Sequence, residues 1–360
     1  LNRGRGTEPL RSGYTTGACA AAAAKGAALL LRDRRLVDEV EINLPIGIPA
    51  RFRLHGQQLT ANGASCYVIK DAGDDPDVTN GAEIHATVAA EYFTPQRLIL
   101  QGGTGVGRVT KPGLAVKVGD WAINPVPRTM ILEGVKEVLA LRCPATITIT
   151  ITIPNGEELA KKTLNARLGI IGGLSILGTT GIVKPISVKA WTDTLDCSID
   201  VALASGCSTV VLATGRNSEL TAQKQLGGEL SEEAYLMMGD HVGYALEACE
   251  RKGVAEVILA GQFAKLLKIA CGHEQTHVSS SELDLGELAG WCSLEPRTSN
   301  FEPLACRANT ARQVLEESAN DAALIGLVCT RAAAAAKKMA PGLMVRVLLA
   351  GYHGEVLYFA

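Results

Sequence analysis

The sequence predicts two domains of mixed class: a strand-rich α+β domain over residues 1–155, then a three-layer, Rossmann-like α/β domain over 156–360. Three observations predict this. Residues 146–153 read Thr-Ile-Thr-Ile-Thr-Ile-Thr-Ile, a strict period of two that puts every Ile on one face of a strand and every Thr on the other. Beyond Pro154-Asn155-Gly156 the rhythm changes to short apolar runs, at 209–213 and 255–260, each followed by a helical stretch, the pattern of a parallel sheet covered by helices. The length of 360 residues suits two domains at roughly 150 residues each.

The elements follow in order. Gly13-Tyr-Thr-Thr-Gly17 reads as a turn feeding a helix through the apolar run at 18–31. Residues 37–44 alternate apolar with polar, and 66–70, 84–93 and 98–101 are further short β runs bounded by Gly, Asp and Pro. A helix fits 130–141, behind Pro125 and Pro127, so the first domain packs one or two helices on a mostly antiparallel sheet. In the second domain helices fit 187–204, a stretch from Ser218, 241–251, a stretch through Ile269, and 313–337. The alanine runs at 20–24 and 332–336 read as helix interior.

Composition excludes several classes. Hydrophobic residues make up 47% and charged residues 20%, enough for a packed core in each domain and against a largely disordered chain. A net charge of −2 argues against a dedicated nucleic-acid binder. Arg3, Arg5 and Arg11 ahead of the apolar run imitate a secretory leader, but Lys25 interrupts the run, and no segment reaches the ~20 apolar residues of a membrane span. The ten cysteines, Cys143 among them, are scattered with no Cys-x-x-Cys pair, as in a reducing compartment. A cytoplasmic, soluble protein is expected, with a homo-oligomer left open.

Four motifs invite chemistry. Gly103-Thr104-Gly105-Val106-Gly107 follows a strand, but Pro112-Gly113 close behind prevents the helix that a dinucleotide loop needs, so a turn between strands is expected. Two readings stay open: a glycine loop that admits a ligand beside Arg108 and Lys111, or a plain β-bulge turn. His273-Glu274-Gln275-Thr276-His277 spells the zinc-protease motif, yet Gly272 caps the preceding helix and puts the five residues in a loop or a first turn, where no zinc is expected. Asp71, Asp74, Asp75 and Asp77 crowd into one turn and repel unless a cation, donors or a ligand offset them; the turn is expected to serve chemistry more than folding. Three Thr/Gly turns recur, at 13–17, at Gly178-Thr179-Thr180-Gly181 and at 213–216; the first and third open helices, whose free amides favour a carboxylate or phosphate.

These motifs, as worded, closely resemble the CbiD family. The resemblance is carried by Gly13-Tyr-Thr-Thr-Gly-Ala-Cys-Ala-Ala-Ala-Ala-Ala-Lys25, by residues 68–81 (Val-Ile-Lys-Asp-Ala-Gly-Asp-Asp-Pro-Asp-Val-Thr-Asn-Gly) and by residues 102–114 around the glycine loop. It continues through residues 168–183 (Leu-Gly-Ile-Ile-Gly-Gly-Leu-Ser-Ile-Leu-Gly-Thr-Thr-Gly-Ile-Val), Ala213-Thr-Gly-Arg216, Gly261-Gln-Phe-Ala-Lys265 and Thr276-His277. Two small departures are Ala18, where the family often has Thr, and Val278, where Ser is common.

The resemblance implies methyl transfer from S-adenosylmethionine to C-1 of cobalt-precorrin-5B, giving cobalt-precorrin-6A in anaerobic cobalamin synthesis. Cobalt then arrives within the substrate and the protein needs no metal of its own. It implies a fold unlike other tetrapyrrole methyltransferases. On that basis Asp71, Asp74, Asp75 and His277 are candidate catalytic residues. Gly103, Thr104, Gly105, Gly107, Gly178, Thr179, Thr180 and Gly181 are candidates for the cofactor. Thr15, Thr16, Gly17, Arg108, Lys111, Thr214, Gly215, Arg216 and Lys265 are candidates for a polycarboxylate substrate. Two alternatives from other classes are a zinc-dependent hydrolase using His273, Glu274 and His277, and a non-catalytic anion-binding module.

Overall fold

A computed structural model describes residues 10–139 and 145–360. Arg3, Arg5, Cys143 and the end of the helix expected at 130–141 lie outside the described residues. The chain is a mixed α/β protein whose two compact units divide between Ser187 and Val188.

In the first unit the alanine run makes the helix Thr16–Asp33 apolar on every side, so it is buried on nearly every side, with residues 18–24 all at most 1% exposed. It packs against the helix Pro125–Val138 and the strands Gly63–Ile69 and Glu83–Tyr92. Small side chains permit the close approach: a Cβ at Gly26 would overlap Leu54. The sheet runs His55–Leu59, Gly63–Ile69, Glu83–Tyr92, Ala145–Thr152, Arg97–Gly102, antiparallel except for the last pair. Ile147, Ile149 and Ile151 are buried under it while the threonines between them stay partly exposed, as the period of two requires. A hairpin of Glu39–Asn43 with Pro49–Arg53 completes the core. Pro125 starts its helix five residues before the periodic stretch, because a proline, which lacks an N–H, fits the first turn, where an N–H would have no intrahelical partner.

Residues 156–187 belong with this unit, where the sequence reading put them in the second domain. Gly173–Leu174 pairs with Gly105–Val106, Ile170–Ile171 with Arg108–Val109, and Ile182–Val183 with Gly13–Tyr14. Each pairing is two residues long, too short to leave a periodic pattern in the sequence. The change of rhythm at Pro154 marks the end of a strand rather than of a unit.

The second unit holds a sheet ordered Tyr235–Met237, Thr209–Ala213, Glu256–Gly261, Met344–Ala350, Val356–Phe359, with the last strand antiparallel and the rest parallel. Successive residues of its strands enter two separate apolar clusters: Val210, Leu212, Val257 and Leu259 in one, Val211, Ala213, Ile258 and Ala260 in the other. Helices Val188–Ala204, Val242–Lys252, Phe263–Ala270 and Ala322–Met339 feed the larger cluster, and Arg216–Leu226 the smaller. The helix expected over 313–337 is two helices, Ala311–Glu317 and Ala322–Met339. Ala319 and Asn320 turn left-handed between them, and Asp321 caps the second by accepting from the amides of Ala323 and Leu324. The nine described cysteines are free thiols, and burial pushes Cys66, Cys249 and Cys329 up to about 12, which leaves them inert. No helix among the described residues is long and apolar enough to cross a membrane.

Two predictions follow from the first unit. Gly105 has φ +74°, and a Cβ there would overlap the Ile153 carbonyl, whereas Gly172 has φ +82° and open space. Gly172→Ala is expected to cost only the left-handed strain of about 1–2 kcal/mol, and Gly105→Ala more than about 3 kcal/mol, measured by urea unfolding. Second, Lys70 is 2% exposed and its ammonium donates to Asp77 Oδ2 at 2.6 Å, while Asp77 Oδ1 accepts from the amide (2.7 Å) and hydroxyl (2.6 Å) of Thr79. Burial alone raises the Asp77 carboxyl; Lys70 and Thr79 overcome it and hold the group below the usual carboxylate range. The pair's contribution is therefore complete above the unfolded carboxyl's value near ~3.9 and lost as pH falls through the lower folded value. Asp77→Asn should remove this acid-side loss and cost about 3–5 kcal/mol at pH 7 by leaving the ammonium buried without its charge partner; an unchanged unfolding midpoint at pH 7 would make the pair energetically silent.

Candidate active site

The acidic turn of the first unit is offset from within the chain. Arg11 holds Asp71 with two guanidinium bonds of 2.5 and 2.9 Å, and its own backbone amide donates to Asp74 at 2.6 Å. The arginine, helped by the Gly73 amide, keeps the Asp71 carboxyl below the usual carboxylate range. Asp75 accepts from the Ile186 amide at 2.9 Å. Backbone bonds from Tyr14 to Asp71 and from Asp74 to Arg11 close the same tie. The turn thus fastens residues 11–14, a folding role that the sequence reading ranked below chemistry. Among the described residues, Asp74 and Asp75 each have only one carboxylate oxygen engaged, whereas both oxygens of Asp71 are used.

The first Thr/Gly turn is likewise filled by protein. Thr15 caps its helix by accepting from the Ala18 amide at 3.2 Å, and the amides of Thr15 and Gly17 donate to the carbonyls of Gly181 and Leu177. The Thr16 hydroxyl donates to Ser175 O and accepts from the Leu177 amide. Gly178 and Gly181 exist to admit these neighbours: a Cβ on either would strike Thr15 or Leu44. Thr179 stays exposed, and Thr180 bonds its own turn at Ile182.

The glycine loop turns at Gly103-Thr104 and then forms the short strand Gly105–Val106, with no helix entry at 105–108. Gly105 touches the backbone of Ile153, Gly156 and Gly173, Gly107 lies against Ile170 and Gly173, and Gly103 lies against Thr152. These contacts leave no room for a ligand on that side, and only Thr104 is exposed. The Arg108 guanidinium stacks over Trp121 at 3.9 Å and donates to Gly119 O, and Lys111 donates to Arg167 O at 3.3 Å.

In the second unit the candidates gather where the parallel strands end. Thr214, Gly215 and Arg216 follow the strand Thr209–Ala213, and Lys265 stands in the first turn of the helix after Glu256–Gly261. These two strands are neighbours, and the chain runs outward from them in opposite directions, which is the switch point where open α/β sheets leave a crevice. Gly215 precedes the helix without a side-chain cap. Arg216 is exposed and donates at 2.6 Å to Glu219, whose side chain is fully buried.

Lys265 donates to Asp240 Oδ1 and to Thr276 O (3.0 Å); Asp240 also accepts from the Thr276 hydroxyl at 2.7 Å. Burial raises the Asp240 carboxyl, but Lys265 and Thr276 bring it below the usual range. Lys268, 8% exposed, donates to Thr276 O and Ser281 O, and burial lowers its ammonium from the ordinary lysine value. Asp240 and Thr276 are thus the hub of this edge. Sequence reasoning named Thr276 only within a motif and missed Asp240, whose one signal was its place just beyond a short strand.

Residues 273–277 form a loop, so they do not set two imidazoles one helical turn apart as a zinc hydrolase requires. His277 Nδ1 lies 2.7 Å from the Ser279 hydroxyl, Gln275 bonds His241, and Glu274 packs on Gly243.

Comparisons with known proteins bear on this arrangement. Residues 3–185 match the family described as CbiD and residues 275–360 the one described as CbiD, C-terminal domain. A cobalt-precorrin-5B C(1)-methyltransferase of Citrifermentans bemidjiense is 67% identical over 97% of this chain and 98% of its own. The protein of that name from Geobacter sulfurreducens is 66% identical over 97% of this chain and 98% of its own, and that of Priestia megaterium 46% over 85% and 83%. Among solved structures, a cobalamin biosynthesis protein (cbiD) from Archaeoglobus fulgidus is 31% identical, covering 74% of this chain and 81% of that one, with a TM-score of 0.40. A family match over more than half of the residues, with relatives two-thirds identical along almost the whole length, settles the question: this chain belongs to the CbiD family.

Proposed function

We propose that this chain transfers the methyl group of S-adenosylmethionine to C-1 of cobalt-precorrin-5B, giving cobalt-precorrin-6A. The single observation that carries the reading is identity of 67% across 97% of the chain to a relative bearing that activity in its name.

The donor supplies an already activated methyl group. What remains for the protein is to align the ring carbon with the methyl and sulfur, keep water out, and take the proton that the ring sheds. Asp71, locked by Arg11 and held below the usual range, is a poor base. Asp74 and Asp75, each with a spare oxygen, are the better acceptors. The macrocycle's carboxylates are assigned to the second unit, taken here as a three-layer Rossmann-like domain, at Thr214, Gly215, Arg216 and Lys265. The support is position: these residues flank the switch point of the sheet and carry two cations there.

Purified chain incubated anaerobically with both substrates should give a product one methyl heavier; no methylated macrocycle would overturn the reading. Asp74→Asn preserves an oxygen for the Arg11 amide, so stability should change by less than about 1 kcal/mol, while kcat falls at least about a hundredfold. Normal turnover in Asp74→Asn would pass the role to Asp75. Arg216→Lys keeps a cation near Glu219, and Lys265→Gln removes one. Each loses a charge-assisted bond or its geometry and should raise the macrocycle KM about tenfold or more, with kcat little changed. Parental KM in both variants, at low and high salt, would place the macrocycle elsewhere.

A further inference from the structure

We propose that a cleft within the first unit binds the methyl donor, with Glu133 facing its cationic sulfonium and Lys25 serving its carboxylate. This rests on the methyltransferase reading. At the glycine loops the protein's own atoms pack directly against Gly105, Gly107, Gly178 and Gly181. A cleft of about 510 Å³ lies instead between the helices Thr16–Asp33 and Pro125–Val138 and the end of the strand Glu39–Asn43. That volume lies in the range of small-molecule sites.

The lining is mixed in a specific way. Ile42, Leu44, Val126 and Met130 give apolar walls. On the helix Pro125–Val138, Val126, Met130, Glu133 and Glu137 follow at spacings of four, three and four, so one helix face carries apolar contact and then two carboxylates. Lys25 projects from the facing helix with its side chain 15% exposed, and its ammonium sits 2.9 Å from both oxygens of Glu137. Glu133 makes no ion pair among the described residues. One ammonium against two carboxylates leaves the lining with one net negative charge.

That sign sorts the two substrates. The donor carries a sulfonium and an ammonium against one carboxylate, a net charge of one positive, and it also brings an apolar thioether chain and a flat base. The macrocycle is a polyanion and would be repelled by the same wall. A wholly apolar ligand would strip water from Glu133 and Lys25 with nothing in return. The lysine has three N–H groups and spends two on Glu137, which leaves one for an incoming carboxylate.

Two variants test the placement by calorimetric titration of the full chain with S-adenosylmethionine and with S-adenosylhomocysteine, which lacks the sulfonium charge. Glu133→Gln should weaken S-adenosylmethionine about tenfold, the scale of one lost charge contact, and leave S-adenosylhomocysteine within about twofold. Gly134→Met fills the cleft. A Cβ there meets Lys25 Cβ at 3.5 Å, an ordinary contact, and an unchanged melting temperature checks that the fold accommodates the longer side chain. It should weaken both ligands more than about thirtyfold, or over about 2 kcal/mol. Parental affinities in both variants, with the parent methylating normally, overturn the placement alone. A parent chain that neither binds the donor nor methylates the macrocycle overturns the reading beneath it as well.

Discussion

Three stretches of backbone come into direct contact at Gly105, Gly156 and Gly173, and the rest of the first unit is arranged around that meeting. A side chain at Gly156 or Gly173 would overlap the Gly105 carbonyl, and one at Gly105 the Ile153 carbonyl, with the positive φ of Gly105 a second reason for glycine there. The contact pins the end of the strand Arg97–Gly102 to the turn after Ala145–Thr152, and both to the pairing of Gly105–Val106 with Gly173–Leu174. From Gly173 the chain has only a few residues in which to deliver Ser175 and Leu177 to the Thr16 hydroxyl and Gly181 to the Thr15 amide. The first helix is therefore capped by its own threonine and held by a segment more than 150 residues away. The glycines of a motif that looks made for phosphate serve close packing here.

How much of this was legible follows from the range of the interactions. The Thr-Ile strand, the buried parallel strands and the helices behind them were legible because their signals are periodic within a dozen residues. The lack of a helix at 103–107 and the loop at 273–277 were legible too, from Pro112-Gly113 and Gly272, though the strand Gly105–Val106 within the first was not. The affiliation of residues 156–187 was not, since two-residue pairings have no period. Nor was the break at Ala319-Asn320, where neither residue is an obligatory helix breaker. The repulsion among the four aspartates was plain in the sequence. Its resolution was hidden, because the donors come from Arg11 and Ile186, 60 to 111 residues distant, as well as from Lys70 nearby. In the second unit, Arg216 and Lys265 stood out by following strands, while the residues that orient them did not.

The near-neutral net charge of −2 conceals this local sorting. A chain that handles a polyanion and a cation gains nothing from a single dominant sign, since the field that attracts one substrate repels the other. Separate patches of opposite sign achieve what a net charge cannot. The cleft beside Glu133 carries one net negative charge, whereas the strand ends of the other unit offer the spare N–H donors of Arg216 and Lys265, each already paired with a carboxylate.

Both cations at the strand ends already have carboxylate partners, which raises the question of whether they have anything left for a substrate. Counting donors answers it. Arg216 uses one guanidinium N–H on Glu219 among the described residues, out of five, and Lys265 uses two of its three on Asp240 and Thr276. The partner fixes the cation's position, so the freedom of the remaining N–H donors has already been lost at folding. An unpaired surface lysine or arginine would have to be immobilised on contact, and exposed pairs made that way are worth only about 0–1 kcal/mol. Glu219 is fully buried and Asp240 is held by Thr276, so neither partner follows its cation into solvent. Internal pairing at this edge thus leaves both cations oriented with donors to spare, and Glu219 and Thr276, which help to hold them, are fully buried.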